Sequence, residues 1–139
     1  MKLWGGRFER GPSEIFERFS NSLSFDRRLL EADIQGSQAF ARALERAGIL
    51  SPSEREAIVA AFEQIRQESR QPSFWEGAHD EDVHTLVIRK LKENTGPLAD
   101  MIHTGRSRNE QVSLDTRLWL RDAVGRIQGK LADLMAELV

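Results

Sequence analysis

The chain has 139 residues, a formal net charge of −2 and no cysteine. This length suits one modest domain with a core, and the lack of cysteine excludes disulfides and thiolate metal sites and fits a reducing cytoplasm. The interspersed charges argue against nucleic acid as a partner, and no apolar run approaches the roughly 20 residues that a membrane-spanning helix needs.

The N-terminal third of the chain follows a helical pattern, and no run of residues alternates as in a β-strand. Residues 1–12 are glycine-rich and predict a loop, and a short helix is expected over 13–19. A longer helix is predicted from Ser24 or Asp26 to Gly48, with Gly48 as its C-cap. Its predicted apolar face comprises Leu29, Ala32, Gly36, Ala39, Phe40, Ala43, Leu44 and Ala47.

Two further helices are predicted in the middle of the chain. Ser51, Pro52 and Glu54 form a capping-box pattern that indicates a helix start. The buried stripe of this helix is expected to comprise Ile58, Ala61, Phe62 and Ile65. Pro72 breaks the pattern, and the next helix is expected over about 81–93, before Gly96 and Pro97.

Residues 103–111, here called the polar segment, concentrate two arginines, an imidazole, hydroxyls and a side-chain amide around Gly105. Arginine presents a rigid fork of donors that matches a carboxylate, and glycine lets the backbone approach a ligand. A helix that begins near Ser107 would aim free N–H groups at the same anion. The segment therefore predicts a site for a carboxylate-rich small molecule, with a solvated basic loop that caps a helix as the alternative.

The last predicted helix runs from Ser107 to the end of the chain and carries an apolar stripe whose spacings alternate between four and three, as in a helical bundle. This apolar seam comprises Leu120, Val124, Ile127, Leu131, Leu134 and Leu138. The pattern still continues at Val139, without a capping residue. We therefore expect part of a longer protein, with a complete small protein that pairs this helix with its own copy as the alternative.

Several blocks resemble the argininosuccinate lyase family of the fumarase/aspartase superfamily. They occur in the family's order at residues 3–8, 25–29, 33–37, 43–50, 80–85, 103–111 and 117–121. The blocks around Trp4, Gln35 and Arg106 are similar to this branch rather than to its sister lyases. The resemblance implies an all-α fold, with an N-terminal helical domain over 1–106 and the start of a central-bundle helix over 107–139.

The resemblance also implies an activity, the reversible cleavage of argininosuccinate to arginine and fumarate in arginine biosynthesis. It implies a cytoplasmic homotetramer that requires no metal or organic cofactor. The family's acid and base groups lie outside these blocks, so no catalytic residue is expected here and the 139 residues alone should be inactive. The alternative is a standalone helical interaction module that has lost lyase activity.

The residues that the resemblance assigns to substrate binding are Ser22, Asp82, His84, Thr104, Arg106, Ser107, Arg108, Asn109 and Gln111. Arg108 and Asn109 are the expected direct contacts, whereas Thr104, Arg106, Ser107 and Gln111 are expected as walls or supports. From the residues alone, Ser22 and Asp82 are more typical of helix starts. By the same reasoning, His84 is more typical of a polar surface residue.

Two positions depart from the family pattern. Ile88 replaces a usual glutamate, which puts a polar contact of that helix in doubt, and Glu110 replaces the more common aspartate. Asp33 lies in a mostly apolar helix face, so it is expected to be partly buried and structural, with an arginine as its partner.

Overall fold

In a computed structural model, which describes residues 13–138, the chain is helical and has no β-strand within that range. The elements are α1 (Glu14–Ser20), α2 (Leu23–Asp26), a 3-10 turn (Arg27–Leu29), α3 (Leu30–Arg46), α4 (Pro52–Glu68), a 3-10 turn (Pro72–Phe74), α5 (Val83–Thr95), a 3-10 segment (Gly96–His103) and α6 (Arg108–Glu137). The all-α prediction is confirmed. The predictions for residues 1–12, including the block at 3–8, lie outside the described residues.

The start of α4 and the end of α3 follow the local sequence signals. The Glu54 N–H donates to Ser51 Oγ at 3.3 Å, and the Ser51 N–H donates to Glu54 Oε2 at 2.8 Å, which completes the predicted capping box. Gly48 has φ of 73°, a left-handed conformation that glycine adopts without steric cost. The predicted start of α4 is confirmed, whereas α3 ends at Arg46 with Ala47 as its C-cap, so that the left-handed Gly48 follows the cap instead of forming it.

The helices differ from the prediction in two further places. The helix expected from Ser24 or Asp26 to Gly48 is divided into α2, a 3-10 turn and α3. Helix α5 begins at Val83 rather than near residue 81, because Asp82 is extended and its side chain accepts from the Thr85 N–H. Helix α5 is followed by a 3-10 segment, because Pro97 has no N–H with which to continue an α-helix.

The core is formed where α3, α4, α5 and the 3-10 segment after α5 pack together. Its largest buried members include Phe62 of α4, Ile34 of α3 and Leu91 of α5, and each such side chain contributes about 1.5–3 kcal/mol on burial. The predicted stripe of α4 is confirmed, since all four of its residues are buried.

The predicted apolar face of α3 is only partly correct. Ala39 and Ala47 are exposed, whereas Leu30, Ile34 and Ala41 are buried. The physical reason is that α3 packs against α4 on one side and α6 on another, so its buried surface is wider than one stripe.

Helix α6 approaches α3 closely near its start and leaves the other helices toward its end. A Cβ at Gly36 would lie 3.1 Å from Leu114 Cδ2, so the absence of a side chain at Gly36 permits the close approach. All six residues of the apolar seam are exposed, by 45% to 77%. No helix among residues 13–138 is both long and apolar enough to cross a membrane.

Candidate functional site

A cleft of about 470 Å³ lies where the N-termini of α5 and α6 meet. Its lining residues are Glu81, Asp82, His84, His103, Arg106, Ser107, Arg108, Gln111 and Val112. The first N–H groups of α6 carry the partial positive charge of a helix N-terminus, and the Ser107 side chain does not cap them. The cleft therefore combines helix N–H donors, guanidiniums and imidazoles, which is a chemistry suited to an anion.

Six of the nine sequence-predicted site residues line this cleft: Asp82, His84, Arg106, Ser107, Arg108 and Gln111. Ser22 does not line it, because its Oγ donates to Asp26 Oδ2 at 2.6 Å and its N–H donates to the Glu81 carbonyl. Thr104 and Asn109 are exposed and lie outside the lining. The substrate contacts assigned to these nine residues stay predictions.

Asp82 joins the start of α5 to the start of α6. Its Oδ1 accepts from the Thr85 N–H at 2.8 Å, and its Oδ2 binds Nη2 of Arg108. Burial alone would raise the pKa of Asp82, but the hydrogen bonds from Thr85 and Arg108 outweigh it and hold the pKa below its ordinary value. Asp82 is therefore an anion that orients Arg108, whose remaining N–H donors are available to a ligand.

Asp26 also binds the start of α5. Its Oδ1 accepts from the Val83 N–H at 3.2 Å, and its other oxygen accepts from the Ser22 hydroxyl. Burial raises the pKa of Asp26 above its ordinary value despite these donors. The Ser22–Asp26 pair thus supports the α5 start.

Asp33 is fully buried below the cleft and is hydrogen-bonded to three side chains. Gln111 Nε2 and Ser37 Oγ donate to it at 3.1 Å and 3.2 Å, and His84 Nδ1 lies 3.0 Å away. The expected burial is confirmed, but the expected arginine partner is wrong. Arg106 reaches Asp33 only through Ser37, to which its Nη1 donates at 2.9 Å.

Arg106 is held by a ring as well as by a hydrogen bond. Its guanidinium lies over the ring of Phe40, 5.1 Å from the centroid, which is within the range of a cation–π contact. Burial lowers the pKa of Arg106, while the negative charges of Asp33 and Asp115 favour its ionised form. The side chain is therefore a fixed wall of the cleft rather than a mobile surface arginine.

Asp115 is a second buried carboxyl in this network, and sequence reasoning missed it. Gln111 Nε2 binds Asp115 Oδ2 as well as Asp33, so one amide group bridges the two acids. Burial, followed by the negative charge of Asp33, raises the pKa of Asp115 to about 7. The spacing could have indicated it, because Asp115 follows Gln111 by four positions and residues four apart on a helix lie on one face.

His103 lines the cleft beside His84, and the two rings meet edge to face with centroids 5.7 Å apart. Burial and the neighbouring charges of His84 and Arg106 lower the pKa of His103, which favours its neutral form. His103 Nε2 and Gln111 Oε1 are buried without a hydrogen-bond partner. Such atoms are costly unless a polar group satisfies them, so they favour a polar ligand in the cleft.

The two departures from the family pattern have different surroundings. Ile88 is 7% exposed and belongs to the hydrophobic core, so this position contributes packing instead of a polar contact. Glu110 is exposed at the start of α6. Among residues 13–138, no group of His, Cys, Asp or Glu side chains is arranged to hold a metal ion.

Comparison with known proteins gives one family match and several similar relatives. Residues 6–139 match the family model described as lyase. The whole chain is 68% identical to an argininosuccinate lyase of Solibacter usitatus (strain Ellin6076). Over 99% and 96% of the chain, it is 46% and 45% identical to argininosuccinate lyases of Trichormus variabilis (strain ATCC 29413 / PCC 7937) and Chlamydomonas reinhardtii. The chain covers 30%, 30% and 28% of the length of these relatives.

Proposed function

Because this chain belongs to the lyase family, we propose that it supplies part of the substrate site of an argininosuccinate lyase. Such an enzyme reversibly cleaves argininosuccinate to arginine and fumarate, as a step of arginine biosynthesis. The observation that carries the proposal is the cleft itself, where Arg108 and the N-terminus of α6 converge. Argininosuccinate carries several carboxylates, which are the groups that these donors bind best.

Each side of the cleft has a proposed role in holding the succinyl part of the substrate. The Arg108 guanidinium, oriented by Asp82, binds a carboxylate with two parallel hydrogen bonds. The Ser107 hydroxyl and the first N–H groups of α6 bind beside it, while Arg106, His84 and Gln111 form the walls. We further propose that Ser22, Thr104 and Asn109, which lie outside the lining, reach the substrate only when another part of the protein closes the cleft.

The proposed reaction is a β-elimination that needs groups beyond this cleft. A base removes the proton next to a succinyl carboxylate, and the resulting carbanion spreads its charge into that carboxylate. The C–N bond then breaks as the C=C bond of fumarate forms, and an acid protonates the departing guanidinium nitrogen. Preorganised donors such as Arg108 stabilise the added negative charge. We propose that the base and the acid come from residues outside this chain, and that no cofactor takes part.

Residues 107–139 have a separate proposed role in assembly. We propose that they begin a central bundle and that residues 1–106 form the N-terminal domain of a homotetramer in the cytoplasm. The support is the exposed apolar seam, which other helices would have to cover. Each active site would then combine this cleft with segments of other subunits.

The test of substrate binding exchanges Arg108 for lysine in the complete gene product. Arg108→Lys keeps the charge but loses the bidentate geometry, so the KM for argininosuccinate should rise about tenfold, the equivalent of one lost hydrogen bond to a charged group. Fumarate release measures it, and Arg42→Lys, at an exposed position of α3, is the matched control. An unchanged KM in Arg108→Lys would contradict the assigned role, and a complete gene product without turnover would contradict the activity.

The chain of 139 residues should release no fumarate from argininosuccinate when assayed alone. The physical reason is that the cleft supplies donors that bind anions but not the proposed acid and base. Measurable turnover by the purified chain would show that both groups lie within it.

A second candidate function is a standalone helical interaction module that has lost lyase activity. The exposed seam of α6 favours it, because large apolar surfaces mark sites of protein association. This function predicts that the complete gene product assembles through the seam yet neither binds nor cleaves argininosuccinate. Isothermal titration of argininosuccinate into that product separates the two candidates.

A further inference from the structure

The two ring nitrogens of His84 have different surroundings. Its side chain is 3% exposed, and Nδ1 lies 3.0 Å from each carboxylate oxygen of Asp33. The same ring lines the cleft. With Nδ1 held by Asp33, Nε2 is the nitrogen that remains for a ligand.

The other partners of Asp33 determine which ring nitrogen carries the proton. Ser37 Oγ and Gln111 Nε2 both donate to Asp33 Oδ1, so the surroundings of this carboxyl group favour its role as an acceptor. An imidazole nitrogen is more basic than a carboxylate oxygen, so the proton shared by the pair belongs on Nδ1 of His84, which donates to Asp33. The neutral ring therefore carries its proton on Nδ1 and its lone pair on Nε2.

We propose that Asp33 is a positioning residue for the lyase reaction, which holds the His84 ring so that Nε2 contacts the substrate in the cleft. The neutral ring accepts a hydrogen bond there, and the protonated ring donates one to a carboxylate. This rests on the proposed function for the identity of the ligand, but the tautomer and orientation of the ring do not. Asp33 lies on α3 and His84 lies on α5. The orientation of the His84 ring in the cleft therefore depends on how these two helices pack against each other.

If Asp33 served only to stabilise the fold, its replacement would not change which ring nitrogen of His84 carries the proton. If Asp33 positions the ring, its replacement should change it. Asp33→Asn keeps the size of the side chain but adds an NH2 group. That group can donate to Nδ1, which would move the ring proton to Nε2. The loss of the correct tautomer is a known way in which such a substitution reduces the rate of an enzyme while its geometry is retained.

The first experiment reads the tautomer directly by long-range ¹H–¹⁵N NMR of the complete gene product, labelled at histidine and kept at alkaline pH. The 139 residues contain three histidines, and His79→Gln and His103→Gln assist the assignment of His84. We expect an Nδ1–H ring in the parent protein and an Nε2–H ring in Asp33→Asn. An Nε2–H ring in the parent protein would overturn the proposal even if the variant failed to fold.

The matched control is Asp80→Asn. Asp80 is also buried, at 5% exposed, but its carboxylate binds Arg89 and lies beside a different cleft. This variant should leave the His84 tautomer as in the parent protein. If Asp80→Asn shifted the tautomer as Asp33→Asn does, the change would reflect general loosening of the fold and the positioning role would be rejected.

The second experiment measures lyase kinetics on the same variants. Loss of the group that orients a metal-bound histidine typically costs about 10- to 100-fold, and we expect a fall of similar size in kcat/KM for Asp33→Asn. Asp80→Asn should retain kcat. A changed tautomer with an unchanged kcat/KM would overturn the role of Asp33. Absence of turnover in the parent protein would instead reject the proposed lyase function, while the NMR result would still report whether Asp33 positions the ring.

Discussion

The first half of α6 buries polar side chains, whereas the second half exposes apolar ones. In residues 108–119 the buried side chains are polar, and Gln111 and Asp115 are each 2% exposed. From Leu120 onward the exposed side chains include the whole apolar seam. A surface helix of a monomeric protein usually buries its apolar stripe and exposes its polar face. The first half therefore points to a binding site, and the second half to assembly.

In the polar half, Gln111 Nε2 and Asp115 Oδ2 are paired with each other, whereas Gln111 Oε1 and Asp115 Oδ1 have no hydrogen-bond partner. Gln111 joins Asp33 to Asp115, and a buried donor or acceptor left without a partner would cost about 1–3 kcal/mol. The apolar half is the opposite case. Exposure of its seam to water is unfavourable, and this free-energy cost disappears when association buries the seam. Substitutions in either half test this difference.

The largest effect is expected for a charge placed in the seam. Leu131→Glu should weaken self-association of the complete gene product by about 1.5–3 kcal/mol per subunit, because the transfer of one leucine side chain from water is lost. Analytical ultracentrifugation across a range of protein concentrations measures the change.

The control places the same side chain on the opposite face of the same helix. Nothing lies within 4 Å of a Cβ built at Gly129, so Gly129→Glu should leave self-association unchanged. Equal weakening by both variants would mean that the seam is not the interface. No weakening by Leu131→Glu would remove the assembly role of the second half.

An intermediate effect is expected for Asp115→Asn in the polar half. The pKa of Asp115 is raised from 3.8 to about 7, so the folded state binds this proton more tightly than the unfolded state. The contribution of Asp115 to stability is therefore greatest below pH 3.8 and is lost as pH rises through about 7. Asp115→Asn removes this loss. It should stabilise the protein above neutral pH by on the order of 2 kcal/mol relative to its effect in acid, about half of what the full shift converts to, because local relaxation and water entry reduce the penalty of a buried charge.

Urea unfolding across this pH range measures the prediction. Asp122→Asn, at an exposed position of the second half, should leave the pH dependence of the free energy of unfolding as it is in the parent protein. A parallel pH dependence for Asp115→Asn and the parent protein would show that Asp115 is ionised in the fold.

The smallest effect is expected for two glycine substitutions. Gly125 lies in the second half of α6, and Gly36 of α3 faces Leu114 in the first half. In a helix, Gly→Ala commonly adds about 0.5–1 kcal/mol, and Gly125→Ala should gain this because nothing lies within 4 Å of the added Cβ. Gly36→Ala should gain nothing or lose stability, because its Cβ meets Leu114 at 3.1 Å. Denaturant midpoints measure both, and equal gains would show that α3 and α6 can separate at no cost.

Local features of the fold were predictable from the sequence because neighbouring residues determine them. The capping box at Ser51 and the left-handed Gly48 just after the C-cap of α3 each involve residues a few positions apart. The polar segment was also predicted as a binding site, and much of it lines the cleft. Its charge and hydrogen-bonding chemistry is visible without any tertiary structure.

The partners of Asp33 were not predictable in the same way. An arginine was the expected partner, yet the hydrogen bonds come from His84 and Gln111, which lie 51 and 78 positions away in the sequence. Which helix meets α3 on each side depends on the packing of the whole domain. For the same reason, the two buried sides of α3 appeared in the sequence as one incomplete stripe.

These long separations impose an order in time on the growing chain. Both ends of the capping box of α4 emerge from the ribosome together, but Asp33 must wait for the synthesis of 78 more residues before Gln111 exists. At 5–20 residues per second this interval is roughly 4–16 s. Until then, Asp33 can pair only with Ser37 and, once it has been synthesised, with His84. The helices can therefore form early during translation, and the cleft is the last part of the domain to be completed.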